Sequence, residues 1–226
     1  MGKFLRFIGI LFMGLTSALV LLSGVGTGCV AFAPDKFAVD SLAGIAGYQW
    51  LYIIYVVAFI LFGIMGIRAT ISLVRGKENA YRDSIIVLVL SVIVGGIHMA
   101  TSQALREGGS SMPLDLIVYA AVLTLLIFLL FSFPKIKKMV GFEEGGSNGK
   151  TAAGGMTAIV MGMLVSSVQM WAGPTHIFNG VNLADAFHTQ MMIGGSILFV
   201  VGLGMFGYAA LNSVKTPTKQ ENSVSA

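Results

Sequence analysis

Residues 113–133 read PLDLIVYAAVLTLLIFLLFSF, and residues 134–138 read PKIKK. The first stretch is long enough to cross a hydrocarbon core, which takes roughly 20 residues of helix. Its single charge, Asp115, falls in the first turn, where a carboxylate meets the positive end of the helix dipole. Pro113 suits that same turn, and Pro134 closes the run. Three lysines follow at once: Lys135, Lys137 and Lys138. One segment therefore supplies a span, its two ends and its direction, because basic loops stay on the cytoplasmic side.

Working outward, further apolar runs cover 4–32, 48–74, 84–105, 151–172 and 183–211. Passing the chain through a bilayer once per run sorts the basic residues unevenly. Lys3, Arg6, Arg68, Arg75, Lys77, Arg82, Lys135, Lys137, Lys138, Lys150, Lys215 and Lys219 share one side, twelve of the fourteen. Only Lys36 and Arg106 fall on the other. The expected fold is an all-α integral membrane protein, a six-transmembrane-helix bundle with N- and C-termini cytoplasmic. Residues 1–214 form the six-span domain, and 215–226 a short cytoplasmic tail expected to be disordered. The expected location is the cell membrane, multi-pass, of bacterial or archaeal inner-membrane type.

Composition agrees. The chain is 56% hydrophobic and 11% charged, less than half the charged share of a soluble domain. The spans use up most of its length, and loops as short as 33–47 or 134–150 do not fold alone. The net charge of +4 is spread along the basic rim, which suits anionic head groups. It is not grouped with aromatics, so no nucleic-acid partner is expected. The expected partners are the lipid bilayer and other membrane subunits or self-association.

A single cysteine, Cys29, rules out an internal disulfide and covalent c-type haem. Lys3, Arg6, an apolar stretch and Gly26-Thr27-Gly28-Cys29 resemble a lipoprotein signal, with residues 1–28 removed before Cys29. Gly26 stands where a leucine-like residue is usual, so a retained first helix is expected.

Helix ends are marked elsewhere too. Gly108-Gly109 stops one helix, and Ser110-Ser111 precedes the next. Asn182 and Asp185 stand three apart before an apolar run, like a capping box with a shorter acid, so a helix should begin near Leu183. Tyr48, Trp50, Tyr52 and Trp171 fall where an interfacial aromatic belt is expected. A faint repeat links 25–31, 94–100 and 165–171, which would make three parallel helical hairpins. Small residues at helix-packing spacing include Gly14 with Ala18, Ser91 with Gly95, and Gly162 with Ser166. Gly194, Gly195, Gly202, Gly204 and Gly207 line the last run in the same way. The thirteen methionines read as packing atoms.

The three histidines lie toward the face with few basic residues. His98 and His188 fall within spans, and His176 falls in the loop between the last two. An ionisable residue at membrane depth faces the bundle interior and a partner, which directs attention to His98 and His188. Three chemistries suit them. Two imidazoles on facing helices can hold haem b. His98, His176, His188 and Asp185 have the donor types for Zn or Cu, although the spacing matches no established metal motif. A titrating imidazole beside Asp185 suits a quinone or proton site. The plain alternative is structural, with His98 bonded to Gln169 and the loops tied together.

There is no nucleotide-binding glycine loop, serine elbow or zinc-protease helix. No arginine-rich sensor or filter loop appears. The function expected is a small subunit or anchor of a membrane, possibly respiratory, complex, with a polar histidine site near the outer face. The alternatives are a stand-alone transporter for a small solute or ion, and a metal-dependent membrane enzyme.

Overall fold

The structure, a computed structural model, describes residues 1–33, 40–105, 114–142, 148–172 and 176–215. The helix boundary read at 108–113, the loop residues 173–175 and the tail 216–226 lie outside those residues. The chain is overwhelmingly helical. Among the described residues, five helices are long and apolar enough to cross a membrane, which marks it as a membrane protein. They are α1 (Gly2–Phe32), α2 (Gln49–Arg75, preceded by a 3-10 segment, Asp40–Tyr48), α3 (Ala80–Leu105), α4 (Leu114–Phe131) and α9 (His188–Lys215). Between the last two come α5 (Pro134–Val140), α6 (Asn148–Ser166), α7 (Val168–Ala172), a two-residue hairpin of β1 (Ile177–Phe178) and β2 (Val181–Asn182), and α8 (Leu183–Ala186).

The expected span 151–172 is thus a 19-residue helix that stops at Ser166 and resumes as α7. Lys150 and four glycines dilute its hydropathy below that of its neighbours. At the break, the Ser167 hydroxyl donates to the Leu164 carbonyl and so competes with the helix ladder. The last run also divides. Asn182 caps α8 as the sequence predicts, its side-chain oxygen accepting from Ala184 and Asp185 N–H at 3.0 and 3.4 Å. The helix then pauses at Phe187 before α9 begins.

Close glycine contacts set the packing. A methyl group added at Gly63 would lie 2.5 Å from Leu21 Cβ, and one at Gly66 would collide with Ser17 Oγ. These contacts bring α1 and α2 together as a tight pair. α6 and α9 pair in the same way: a methyl at Gly162 would lie 2.6 Å from the Gly195 carbonyl oxygen, and one at Gly202 2.6 Å from the Gly155 oxygen. In lipid, close backbone approach of this kind replaces the hydrophobic effect as the reason helices associate. Gly14, read as part of a pair with Ala18, packs on Thr157 of α6. Gly194, Gly204 and Gly207 instead face open space. α1 is the central element, packed against α2, α4, α5 and α6.

Two apolar clusters fill the bundle, one at the lysine-rich end and one at the histidine end. The first contains Ile10, Met13, Leu73, Leu88 and Phe128, capped by Val140 and Phe142. Arg6 and Lys150, which the charge pattern places on the basic rim beside the head groups, are buried, Lys150 completely. Arg6 Nε donates to the Val140 carbonyl, and Lys150 Nζ donates to the Phe142 carbonyl at 2.8 Å. Both acceptors lie at or just beyond the C-terminus of α5, where unpaired carbonyls carry the negative end of the dipole. Gly141 adopts the left-handed conformation (φ 54°) that ends α5 and turns these carbonyls inward.

Lys150→Met should therefore cost roughly 1–3 kcal/mol by leaving the Phe142 carbonyl unpaired in the core. Lys77→Met, at an exposed position, should change stability by less than about 0.5 kcal/mol. Thermal unfolding in detergent separates the two. Equal midpoints would contradict the buried bond.

Candidate functional site

α2 and α3 build a polar-aromatic constellation at the histidine end. On α2, Tyr52, Tyr55 and Phe59 stand three and four residues apart, which places them on one face. On α3, Ser91, Gly95, His98 and Ser102 follow the same rule. Gly95 lets α3 approach closely: a methyl there would meet Val118 at 3.0 Å and Phe59 at 3.9 Å.

His98 is only 3% exposed. Its ring stacks on Tyr55 at 4.3 Å and 21°, and meets the edge of Tyr52 at 5.3 Å and 83°. Phe59 closes a third side at 5.5 Å. The two tyrosine hydroxyls are held above the ring by α3. Tyr52 shares a hydrogen bond with Ser102 at 2.9 Å, and Tyr55 with Thr101 at 3.2 Å. Thr101 commits its proton to the Ile97 carbonyl, so Tyr55 is the donor in that pair. Each tyrosine is thus fixed at both ends, and the imidazole is fixed by the tyrosines.

The Nδ1 atom of His98 is buried and has no hydrogen-bond partner among the described residues. It is alone in this among their buried side-chain nitrogens and oxygens. Several other buried hydroxyls bond within their own helix or to the next one. Ser17, Thr70 and Ser84 donate to the carbonyl four residues back. Thr16 and Thr124 bond each other at 2.7 Å across α1 and α4.

The remaining candidates lie elsewhere. His188 is half-buried at the start of α9, and α9 packs chiefly on α6, whereas α3 packs between α2 and α4. His176 is half-buried ahead of β1, and its carbonyl accepts from Leu183 N–H at 2.9 Å. Asp185 is exposed and accepts from Gln169 Nε2 at 2.6 Å. That bond replaces the expected pairing of Gln169 with His98 and joins α7 to α8. Among the described residues, no three His, Cys, Asp or Glu side chains gather closely enough to hold a metal ion.

The sequence pattern singles out neither Tyr55 nor Phe59, and it places Tyr52 in the interfacial belt. Tyr52 is in fact buried, while Tyr48 and Trp50 keep the exposed position a belt requires. The signal was present, since an aromatic triplet on one face of α2 parallels His98 on the next helix. Beside this site, on the neighbouring face of α2, lies an open apolar depression lined by Gly24, Gly28, Cys29, Val56, Ile60 and Phe178. Cys29 lies near the end of α1, its thiol directed to the Val25 carbonyl.

Comparison of the chain with protein-family models, with curated proteins and with solved structures finds no match.

Proposed function

We propose that this chain is an integral subunit or anchor of a larger membrane assembly, with His98 as the residue that meets a redox group or partner. The observation that carries this reading is the unpartnered Nδ1 of a buried imidazole, alone in this among the fully buried side-chain nitrogens and oxygens of the described residues. Leaving such a nitrogen unpaired costs roughly 1–3 kcal/mol, so a retained one suggests a use. A transporter needs a polar cavity near the midplane. A hydrolytic metal site needs several ligands held together. The described residues favour neither, and a subunit requires neither.

The proposed arrangement has α6 as a sixth crossing, both termini cytoplasmic and the His98 site in the outer half of a cell membrane. The basic residues of the 75–82 and 134–140 segments support that orientation. His98 and His188 are the first residues to test for haem b or a quinone. Zn or Cu at His98, His176, His188 and Asp185 has less support, because these residues are not gathered.

The test is isolation from native membranes in mild detergent, with subunit identification, a visible spectrum and metal content. Stoichiometric partner subunits, with or without a Soret band that shifts on reduction, are expected. A chain that runs alone and moves solute across liposomes would replace this reading with transport. Reporter fusions within 143–147 and 176–181 should report opposite sides.

A further inference from the structure

We infer that the lysine-rich end carries a docking surface for anionic phospholipid head groups, built from α5 and the first turn of α1. α5 has only seven residues, yet it is firmly held. Val140 is fully buried, Ile136 packs on the core, and Arg6 binds the Val140 carbonyl. A methyl group at Gly2 would collide with the Met139 carbonyl, so the start of α1 lies directly against α5. Lys137 turns back toward the ring of Tyr81, 5.9 Å from its centroid.

What faces outward is mixed in a particular way. Phe4, Phe133 and Met139 are 65%, 59% and 41% exposed, and Lys3, Lys135 and Lys138 are exposed among them. Exposed phenylalanines are unfavourable in water and favourable at an acyl-chain boundary. Lysines beside them reach up to phosphate and add affinity for an anionic surface. The patch also follows the end of α4, a helix apolar enough to cross a membrane, which sets it at head-group depth. Apolar anchors with cations at that depth fit a phospholipid rather than a free phosphate or a soluble acidic protein. Glu143 and Glu144 follow α5 in sequence and offset part of its charge; they lie outside the described residues.

The test uses the full chain in detergent. Thermal unfolding is followed while phosphatidylglycerol, or phosphatidylcholine with the same acyl chains, is added in mixed micelles. Phosphatidylglycerol should raise the unfolding midpoint and phosphatidylcholine should not. Each lysine removed should weaken the lipid about fivefold, so K135Q/K138Q should need roughly 25-fold more lipid for the same shift. R75Q/K77Q, at another basic loop, should respond like the wild type. Should K135Q/K138Q not fold, the wild-type response to salt decides, because exposed charge pairs weaken sharply at about 1 M salt. An equal shift with phosphatidylcholine, an equal shift with soluble glycerol phosphate, equal loss in both double variants, or a salt-independent shift would each overturn the inference. None of these outcomes depends on whether the chain is a subunit of a complex.

Discussion

A leucine at position 162 should force α6 away from α9 and lower the unfolding midpoint by roughly 6–12 °C or more. The Cβ atom alone would lie 2.6 Å from the Gly195 carbonyl oxygen and 2.8 Å from Phe199 N. Both obstacles are backbone, which cannot rotate out of the way as a side chain can. Overpacking against movable side chains costs about 1–3 kcal/mol, so the loss here should reach at least about 3 kcal/mol. In a protein of this size each 1 kcal/mol moves the midpoint by about 2–4 °C. Helix propensity acts in the opposite direction, since leucine is better than glycine by several tenths of a kcal/mol. A net loss therefore identifies packing as its cause. α9 has little other support, being largely exposed along its spanning window. Gly194→Leu is the control: it lies on the partner helix α9, next to Gly195, with open space beyond it. If the two variants melt together, the close approach of α6 and α9 is not what holds that hairpin.

The second large effect is expected at His98, where two substitutions should part company. His98→Ala empties a volume enclosed by Tyr52, Tyr55 and Phe59, and truncation of a buried ring costs roughly 3–5 kcal/mol. His98→Phe keeps a ring against those neighbours. It removes a buried nitrogen that no described residue satisfies, and it adds only slight bulk. Its stability should stay within about 1.5 kcal/mol of wild type. The fold should therefore survive His98→Phe while partner subunits or a bound redox group are lost. His176→Ala, in the hairpin ahead of β1, should leave both intact. A His98→Phe variant that retains every co-purifying component would reduce His98 to a packing residue and remove the main support for the proposed function.

The long helices were legible because lipid imposes one demand that composition alone can meet: an uninterrupted apolar stretch with its backbone bonded internally. The cap at Asn182 was legible for a related reason, since its partners are two and three residues away. The breaks at Ser167 and Phe187 were harder to read. An apolar run continues through Phe187, and the competing bond at Ser167 is a local choice that hydropathy does not register. The burial of Arg6 and Lys150 was not legible, because a count of charges along the chain does not show their acceptors. Arg6 finds its carbonyl 134 residues further along the chain, on a helix that packs against its own. The aromatic site was half legible. His98 stood out as an ionisable residue at depth, but its enclosure depends on which face of α2 it meets, and that is a tertiary fact. Gln169 could not be matched to Asp185 rather than His98 until the turn through α7 and α8 was known.

The position of α1 at the centre has a consequence for biogenesis. α1 leaves the ribosome before the helices that finally cover it. Thr16 receives its cross-helix partner only when Thr124 is made, and Gly14 meets Thr157 later still. Arg6 must wait for the Val140 carbonyl. During translation the earliest helix therefore sits in the bilayer with an uncovered polar stripe, held by α2 alone. Nascent chains halted before α6 should stay bound to the insertion machinery, and release into the lipid should come once the α6–α9 pair has closed over it.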